Sequence, residues 1–209
     1  MPKLSKDQQT QRRNRILDAA ERCFAANGFH RTTMPDICKA AGISAGALYL
    51  YFDSKEALIS GISERDRAEI IQQFAALEDA PDFFEGLKQV MRRCILEQPP
   101  HKSRLYLAIA SEATHNPAVA RLLAECDGAI RGSLLHILEK AEAHGRIAPS
   151  VPIGRIVGVM TVIADGMFWR RAVDPQFDLV SVAADMLAMI CALAGMRDPS
   201  NSTTLQAAS

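Results

Sequence analysis

A helical repeat of apolar residues runs along almost the whole of this 209-residue chain, and no stretch alternates apolar with polar residues between turn signals. That feature predicts an all-α fold. Ile16, Ala19, Ala20, Cys23 and Phe24 share one stripe of a first helix over about 9–27, with Asn27-Gly28 as its stop. Thr33, Pro35 and Asp36 then supply an N-cap, a proline in the first turn and an acid at the third helical position, opening a second helix that ends near Ala41. Gly42 suits the left-handed residue that closes it, Ile43 is an apolar plug, and Ser44 caps a third helix over about 45–51. Two short helices joined by such a turn read as a helix-turn-helix. Asp53 and Glu56 have capping-box spacing and open a long helix over about 54–78. Pro81, Pro99-Pro100, Pro117, the stretch from Gly145 to Pro152 and Asp174-Pro175 delimit helices over about 82–97, 102–114, 118–144, 153–172 and 176–196, so that about nine are expected.

Charge narrows the function. Lys and Arg number 24, Asp and Glu 24, and the formal net charge is zero. The first sixty residues nevertheless carry 9 basic and 6 acidic side chains, against 15 and 18 in the rest, so the N-terminal quarter is the better polyanion binder. Cys23, Cys38, Cys94, Cys126 and Cys191 form no Cys-x-x-Cys pair and have no His at ligand spacing, so neither a metal site nor a cofactor is expected, and a reduced cytoplasmic compartment fits. The polar N-terminus lacks the apolar core of a signal peptide. The two most apolar stretches are cut by Asp165 and Asp185, so no membrane span is expected. The chain is read as free of a phosphate-binding loop, a dinucleotide fingerprint, a zinc-protease motif and a Gly-x-Ser-x-Gly elbow, and His30, His101, His115, His136 and His144 are scattered; no catalytic residues are expected. A helical enzyme without a recognisable motif and a helical protein-interaction module are the competing readings.

The helix-turn-helix residues suit DNA. A helix entering the major groove needs small side chains at its leading end, which Ala45, Gly46 and Ala47 supply behind Ser44. Tyr49 and Tyr51 can donate hydroxyls to phosphates, Thr33 can do the same, and Lys55 adds charge beside a helix N-terminus. Arg31 lies near the groove, and Lys3, Lys6, Arg12, Arg13 and Arg15 form a basic arm. Leu48 and Phe52 face inward with Ile37 and Ile43 as a small core.

The run from Thr33 to Leu58, with its Ala-Gly-Ile-Ser, Tyr-x-Tyr-Phe and Ser-Lys-Glu-x-Leu elements, resembles the DNA-binding signature of TetR-family transcriptional regulators, as do the Ala-Ala-Glu-Arg-Cys-Phe and Asn-Gly-Phe stretches before it. The remaining three-quarters of the chain agrees only in length and helicity, apart from a weaker echo in Asp-Gly-Met-Phe-Trp-Arg at 165–170. The resemblance implies a helix-turn-helix domain over 1–55, an effector-binding and dimerisation domain over 56–197, and a tail over 198–209 that composition marks as disordered. It further implies a double-stranded palindromic operator, a homodimer formed by the last two helices as a four-helix bundle, and a small, mostly apolar effector that releases a repressor from DNA. Ile156, Val159, Val162, Ile163, Leu187, Ile190 and Leu193 are the apolar candidates for that bundle. Phe84, Met91, Tyr106, Glu112, His136, Met160, Asp165 and Trp169 are the candidate effector residues, with Trp169 foremost as an indole expected to be buried. One departure bears on specificity: many relatives carry Lys or another polar residue at the position of Ala45 and Thr at that of Ala47. Without a bidentate reader there, base discrimination falls to thymine methyls, to Tyr49 or Arg31, and to DNA shape.

Overall fold

The structure is a computed structural model that describes residues 5–196. The expected disordered tail and Lys3 lie outside that range. Among the described residues the chain forms nine α-helices and no strand: α1 (Lys6–Arg31), α2 (Met34–Ala41), α3 (Ala45–Tyr49), α4 (Lys55–Ala75), α5 (Phe83–Met91), α6 (Pro100–Ala113), α7 (Pro117–Ala143), α8 (Ile153–Val173) and α9 (Leu179–Leu193). A π-helical turn at Arg92–Leu96 continues α5, with Glu97 N–H donating to Arg92 O at 2.9 Å.

The caps explain most boundaries. Ser5 and Gln8 form a reciprocal capping box that starts α1 earlier than the apolar stripe implied. Gly28 then breaks that helix at φ 75° and ψ 169°, a region in essence restricted to glycine, and one more turn follows as far as Arg31. The expected Asp53 capping box is corrected at α4. Ser54 is the cap, its Oγ accepting from Ala57 N–H at 3.1 Å, while the Asp53 carboxylate accepts from the Ser54 hydroxyl. The reason is register: the helix begins at Lys55, and a side chain can reach the third N–H only from the residue directly before it.

The chain divides into two compact units. The first holds the residues through Asp66 together with Pro99–Cys126; the second holds Arg67–Gln98 and the chain from Asp127 onward. The first unit thus reaches beyond residues 1–55 to include the start of α4, all of α6 and the first part of α7. Its core joins Ile16, Leu17, Ala20 and Phe24 of α1 to Ile37 of α2, Leu48 of α3, Phe52 of the loop after it, Leu58 and Ile62 of α4, and Leu105 and Ile109 of α6. The second unit's core gathers Leu87 and Val90 of α5, Leu134 and Leu138 of α7, Ile156 and Met167 of α8, and Met186 and Ile190 of α9.

A buried acid organises the polar side of the first unit. Glu21 of α1 is 3% exposed, and its carboxylate pairs with Arg65 of α4 and with Lys102 Nζ of α6 at 2.8 Å. Lys102 also reaches Asp66 Oδ2 at 2.6 Å, Arg65 reaches Asp18 at 2.8 Å, and His101 Nε2 lies 3.4 Å from Glu21. Burial raises the Asp66 pKa, with Lys102 opposing the rise. Burial also opposes the Arg65 charge, but Glu21, Asp18 and Asp66 outweigh it and hold that pKa above its ordinary value.

No atom lies within 4 Å of a Cβ built on Gly28, so the cost of a side chain there is conformational alone. Gly28→Ala is expected to lower unfolding free energy by about 1–3 kcal/mol, measurable by urea denaturation.

Candidate nucleic-acid interface

The α2–α3 turn is set by three local devices. Thr33 caps α2: its Oγ1 accepts from Asp36 N–H at 3.3 Å, and Asp36 Oδ2 accepts from both the Thr33 N–H at 2.9 Å and the Thr33 hydroxyl at 2.6 Å. Gly42, at φ 64° and ψ 43°, ends α2 in the left-handed conformation, and Ile43 N–H closes the turn on Cys38 O at 3.1 Å. Ser44 caps α3 by accepting from Ala47 N–H at 3.3 Å. Leu48, Ile37 and Phe52 are buried and Ile43 packs half-buried against them, as their spacing implied. Cys38 is likewise a buried small side chain.

The expected absence of a Gly-x-Ser-x-Gly elbow is corrected, since Gly42-Ile43-Ser44-Ala45-Gly46 has that spacing. That elbow requires a strand entering the turn. Here Ser44 stands between two helices with its oxygen engaged as a cap.

The fold separates the candidate DNA-binding residues by face. Ala45 and Gly46 are exposed, Ala47 is half-buried and Tyr49 is 53% exposed. A Cβ on Gly46 would meet nothing within 4 Å, so internal packing does not demand a glycine there. Tyr51 is half-buried against the first core. Lys55 turns back on its own unit: Nζ donates to Phe29 O at 2.7 Å and sits 4.2 Å from the Phe29 ring centroid, tying the start of α4 to the turn after Gly28. An ammonium has three N–H groups, so this contact leaves two. Arg31 is exposed and its Nε donates to Asn27 O at 3.1 Å. Thr33 is exposed, but both its donors point to Asp36. The basic arm is partly folded back as well: Arg13 lies 5.4 Å over the Phe52 ring and 3.6 Å from Glu64, and an Arg15 Nη2 lies 2.9 Å from where a Gly42 Cβ would stand.

Two features escaped the sequence reading. Leu50, the C-cap of α3, is 84% exposed; its place one residue after Tyr49, on the helical face of Gly46, was the available signal. The Glu21 cluster had no local signal, because Arg65 and Lys102 lie 44 and 81 residues away.

Residues 16–62 match the family described as "Bacterial regulatory proteins, tetR family". The chain is 32% identical over 139 residues to the HTH-type transcriptional regulator UidR of Escherichia coli K12, covering 66% of this chain and 70% of that protein. It is 31% identical over 180 residues to the HTH-type transcriptional repressor Rv1474c of Mycobacterium tuberculosis, covering 84% and 91%. The chain belongs to the TetR family of transcriptional regulators. Among solved structures, Salmonella enterica GusR superposes with a TM-score of 0.75 at 30% identity, covering 92% of this chain and 99% of that one. The all-α TetR fold with an N-terminal helix-turn-helix is therefore that of this protein.

The expected effector residues of this TetR-family chain fall in both units. Tyr106 and Glu112 lie in the first, the other six in the second. Glu112 is buried, but its Oε1 accepts from Asn116 Nδ2 at 3.0 Å and its Oε2 stands 3.0 Å from His30 Nε2. Phe84, Met91 and Met160 are half-buried against the second core, whereas Tyr106, His136 and Asp165 are exposed. The expectation of a buried Trp169 is corrected: the residue is 45% exposed, with the Arg170 guanidinium 5.1 Å from the ring centroid, because that side of α8 faces away from the core built on Ile156 and Met167. Surface cavities of about 520 and 400 Å³ are lined by Glu139, Glu142 and the 149–154 segment, and by Glu85, Lys88, Gln89, Arg92, Arg93 and Glu97. Neither involves an expected effector residue. Among the described residues no His, Cys, Asp and Glu cluster is placed to hold a metal ion, and no helix is long and apolar enough to cross a membrane.

The Thr33 hydroxyl, then the Thr33 N–H, hold the Asp36 pKa below the ordinary carboxyl value of 3.8. The cap's contribution to stability is thus complete above 3.8 and is lost as pH falls through the lower folded value. Thr33→Val is expected to move the Asp36 pKa up toward 3.8, as read by NMR titration of the carboxyl carbon; an unmoved titration would show that the hydroxyl bond does not form in solution.

Proposed function

We propose that this protein is a ligand-responsive repressor that binds a palindromic operator as a homodimer, with Ala45, Gly46 and Ala47 toward the bases, Tyr49 and Arg31 at the edge of the groove, and Thr33, Ser44, Tyr51 and Lys55 toward the backbone. One observation carries the DNA part: α3 exposes a run of minimal side chains at its leading end, including a glycine that internal packing does not require, on a unit whose first sixty residues are net basic. A close approach of backbone to base edges accounts for it. In the free protein both Thr33 donors serve Asp36, so its hydroxyl donates to a phosphate only by turning away from that carboxylate. Repression is favoured by the likeness to Rv1474c, which is named a repressor. The compartment that follows is the cytoplasm, where the operator is.

One helix-turn-helix reads one half-site, so two copies are required. Of the nine exposed large apolar side chains among the described residues, Val159, Val162, Trp169 and Val173 lie on α8, and Val180 and Met189 on α9. The four on α8 recur at intervals of 3, 7 and 4, which is one helical stripe. Such a stripe suits an isologous two-fold contact with a second copy. The residues named from sequence divide accordingly: Val159 and Val162 are available to the bundle, whereas Ile156, Leu187 and Ile190 are buried in the protomer's own core, and Ile163 and Leu193 are half-buried against it.

The effector is placed in the second unit, where half-buried Phe84, Met91 and Met160 line its core with movable apolar side chains. A coupling of about 1–3 kcal/mol between effector and operator suffices to switch binding roughly 5- to 150-fold.

Selection of the full-length protein on random duplexes is expected to enrich a palindrome bound with a steep salt dependence; no enrichment would end the regulatory reading. Val162→Glu is expected to give a folded monomer by light scattering, with operator affinity falling by roughly 10²–10⁴ as the second half-site contact is lost. A variant that stays dimeric would remove the α8–α9 bundle.

A further inference from the structure

We propose that α3 selects operators by the C5-methyl groups of thymines, with Leu50 as the specificity-determining side chain. The inference rests on α3 being the helix that enters the major groove, and names the base chemistry it reads there.

Leu50 is the most exposed large apolar side chain among the described residues, at 84%. As the C-cap of α3 it keeps a right-handed helical backbone, φ −70° and ψ −19°, so it continues the helical face of the residues before it. At 3.6 residues per turn, positions 45, 46, 49 and 50 fall on one side of the helix. Those are its exposed positions: Ala45, Gly46, Tyr49 and Leu50. Leu48 and Phe52 point into the core, and Ala47 and Tyr51 lie between.

The exposed face carries one hydrogen-bonding side chain, the Tyr49 hydroxyl, and is otherwise hydrocarbon and bare backbone. Recognition of guanine through N7 and O6 calls for an Arg or Lys fork, and of adenine for Asn or Gln. None stands on this face. Arg31 is on α1 with its Nε on Asn27 O, and Lys55 is held by Phe29. The apolar feature that distinguishes base pairs in the major groove is the thymine methyl. Packing against sugar carbons would also cover a leucine but would carry no sequence preference, and this alternative is separable by experiment.

The experiment uses the full-length protein and the palindrome recovered by random-duplex selection. Thymines of each half-site are replaced one position at a time by deoxyuridine, which deletes only the methyl. Affinities are measured by fluorescence anisotropy at fixed salt for wild type and for Leu50→Ala, whose fold is checked by thermal melting. One position is expected to cost wild type about fourfold when changed in one half-site and about fifteenfold when changed in both. In Leu50→Ala the thymine-to-uracil ratio at that position falls to near one. An undiminished ratio in the variant, equal loss by the variant on both duplexes, or a selected operator without thymine at any sensitive position overturns the proposal and leaves DNA recognition standing. Failure of the selection to return any operator overturns both.

Discussion

The carboxylate of Glu21 is the interaction on which the geometry of the first unit depends. An ionised acid removed from water is costly unless its partners are close and numerous. Here Arg65 comes from α4 and Lys102 from α6, with Asp66 and Asp18 taking up the remaining charge of those cations. Apolar packing alone would let helices slide by small increments, since dispersion and burial are non-directional. A buried acid with two cations from two other helices has far fewer acceptable arrangements. It therefore sets how α1 lies on α4 and α6, and α1 leads through the Gly28 break into the helix-turn-helix.

The same economy of arrangement holds at the second helix of the helix-turn-helix. α3 has five residues and cannot persist as an isolated helix. It is held by the Ser44 cap, by the left-handed Gly42, and by Leu48 and Phe52 inserted into the core. With its inner side committed in this way, its outer side is free to carry whatever residues recognition needs. Lys55 extends the support, since its ammonium sits on the carbonyl and ring of Phe29 and so fastens the turn that precedes α2.

Where the sequence was legible, the controlling forces were local. Thr33 and Asp36 announce a capping box because the partners are three residues apart, and Gly42 announces a C-cap because few other residues tolerate that conformation. The burial of Ile37, Leu48 and Phe52 followed from helical spacing. The choice between Asp53 and Ser54 as cap was not legible, since both are good caps and helix register decided between them. Lys55 and Thr33 carry the residue types of phosphate contacts, yet in the free protein one N–H of Lys55 serves Phe29 and both donors of Thr33 serve Asp36, because nearby acceptors of the fold are always present.

The effector region shows the limit more sharply. Trp169, Tyr106 and Glu112 were grouped by residue type, and the fold sends the first to the surface of α8 and the other two into the unit that carries the helix-turn-helix. By itself the sequence determined the helices, the caps of α2 and α3, the small core of the helix-turn-helix and the family, all of which are carried by residues within a few turns of one another. Tertiary structure alone decided which apolar residues of α8 and α9 are left in water, which helices share the Glu21 cluster, and that Leu50 stands bare beside Tyr49. Those outcomes depend on what other segments cover, and coverage by distant chain is not written in the spacing of neighbouring residues.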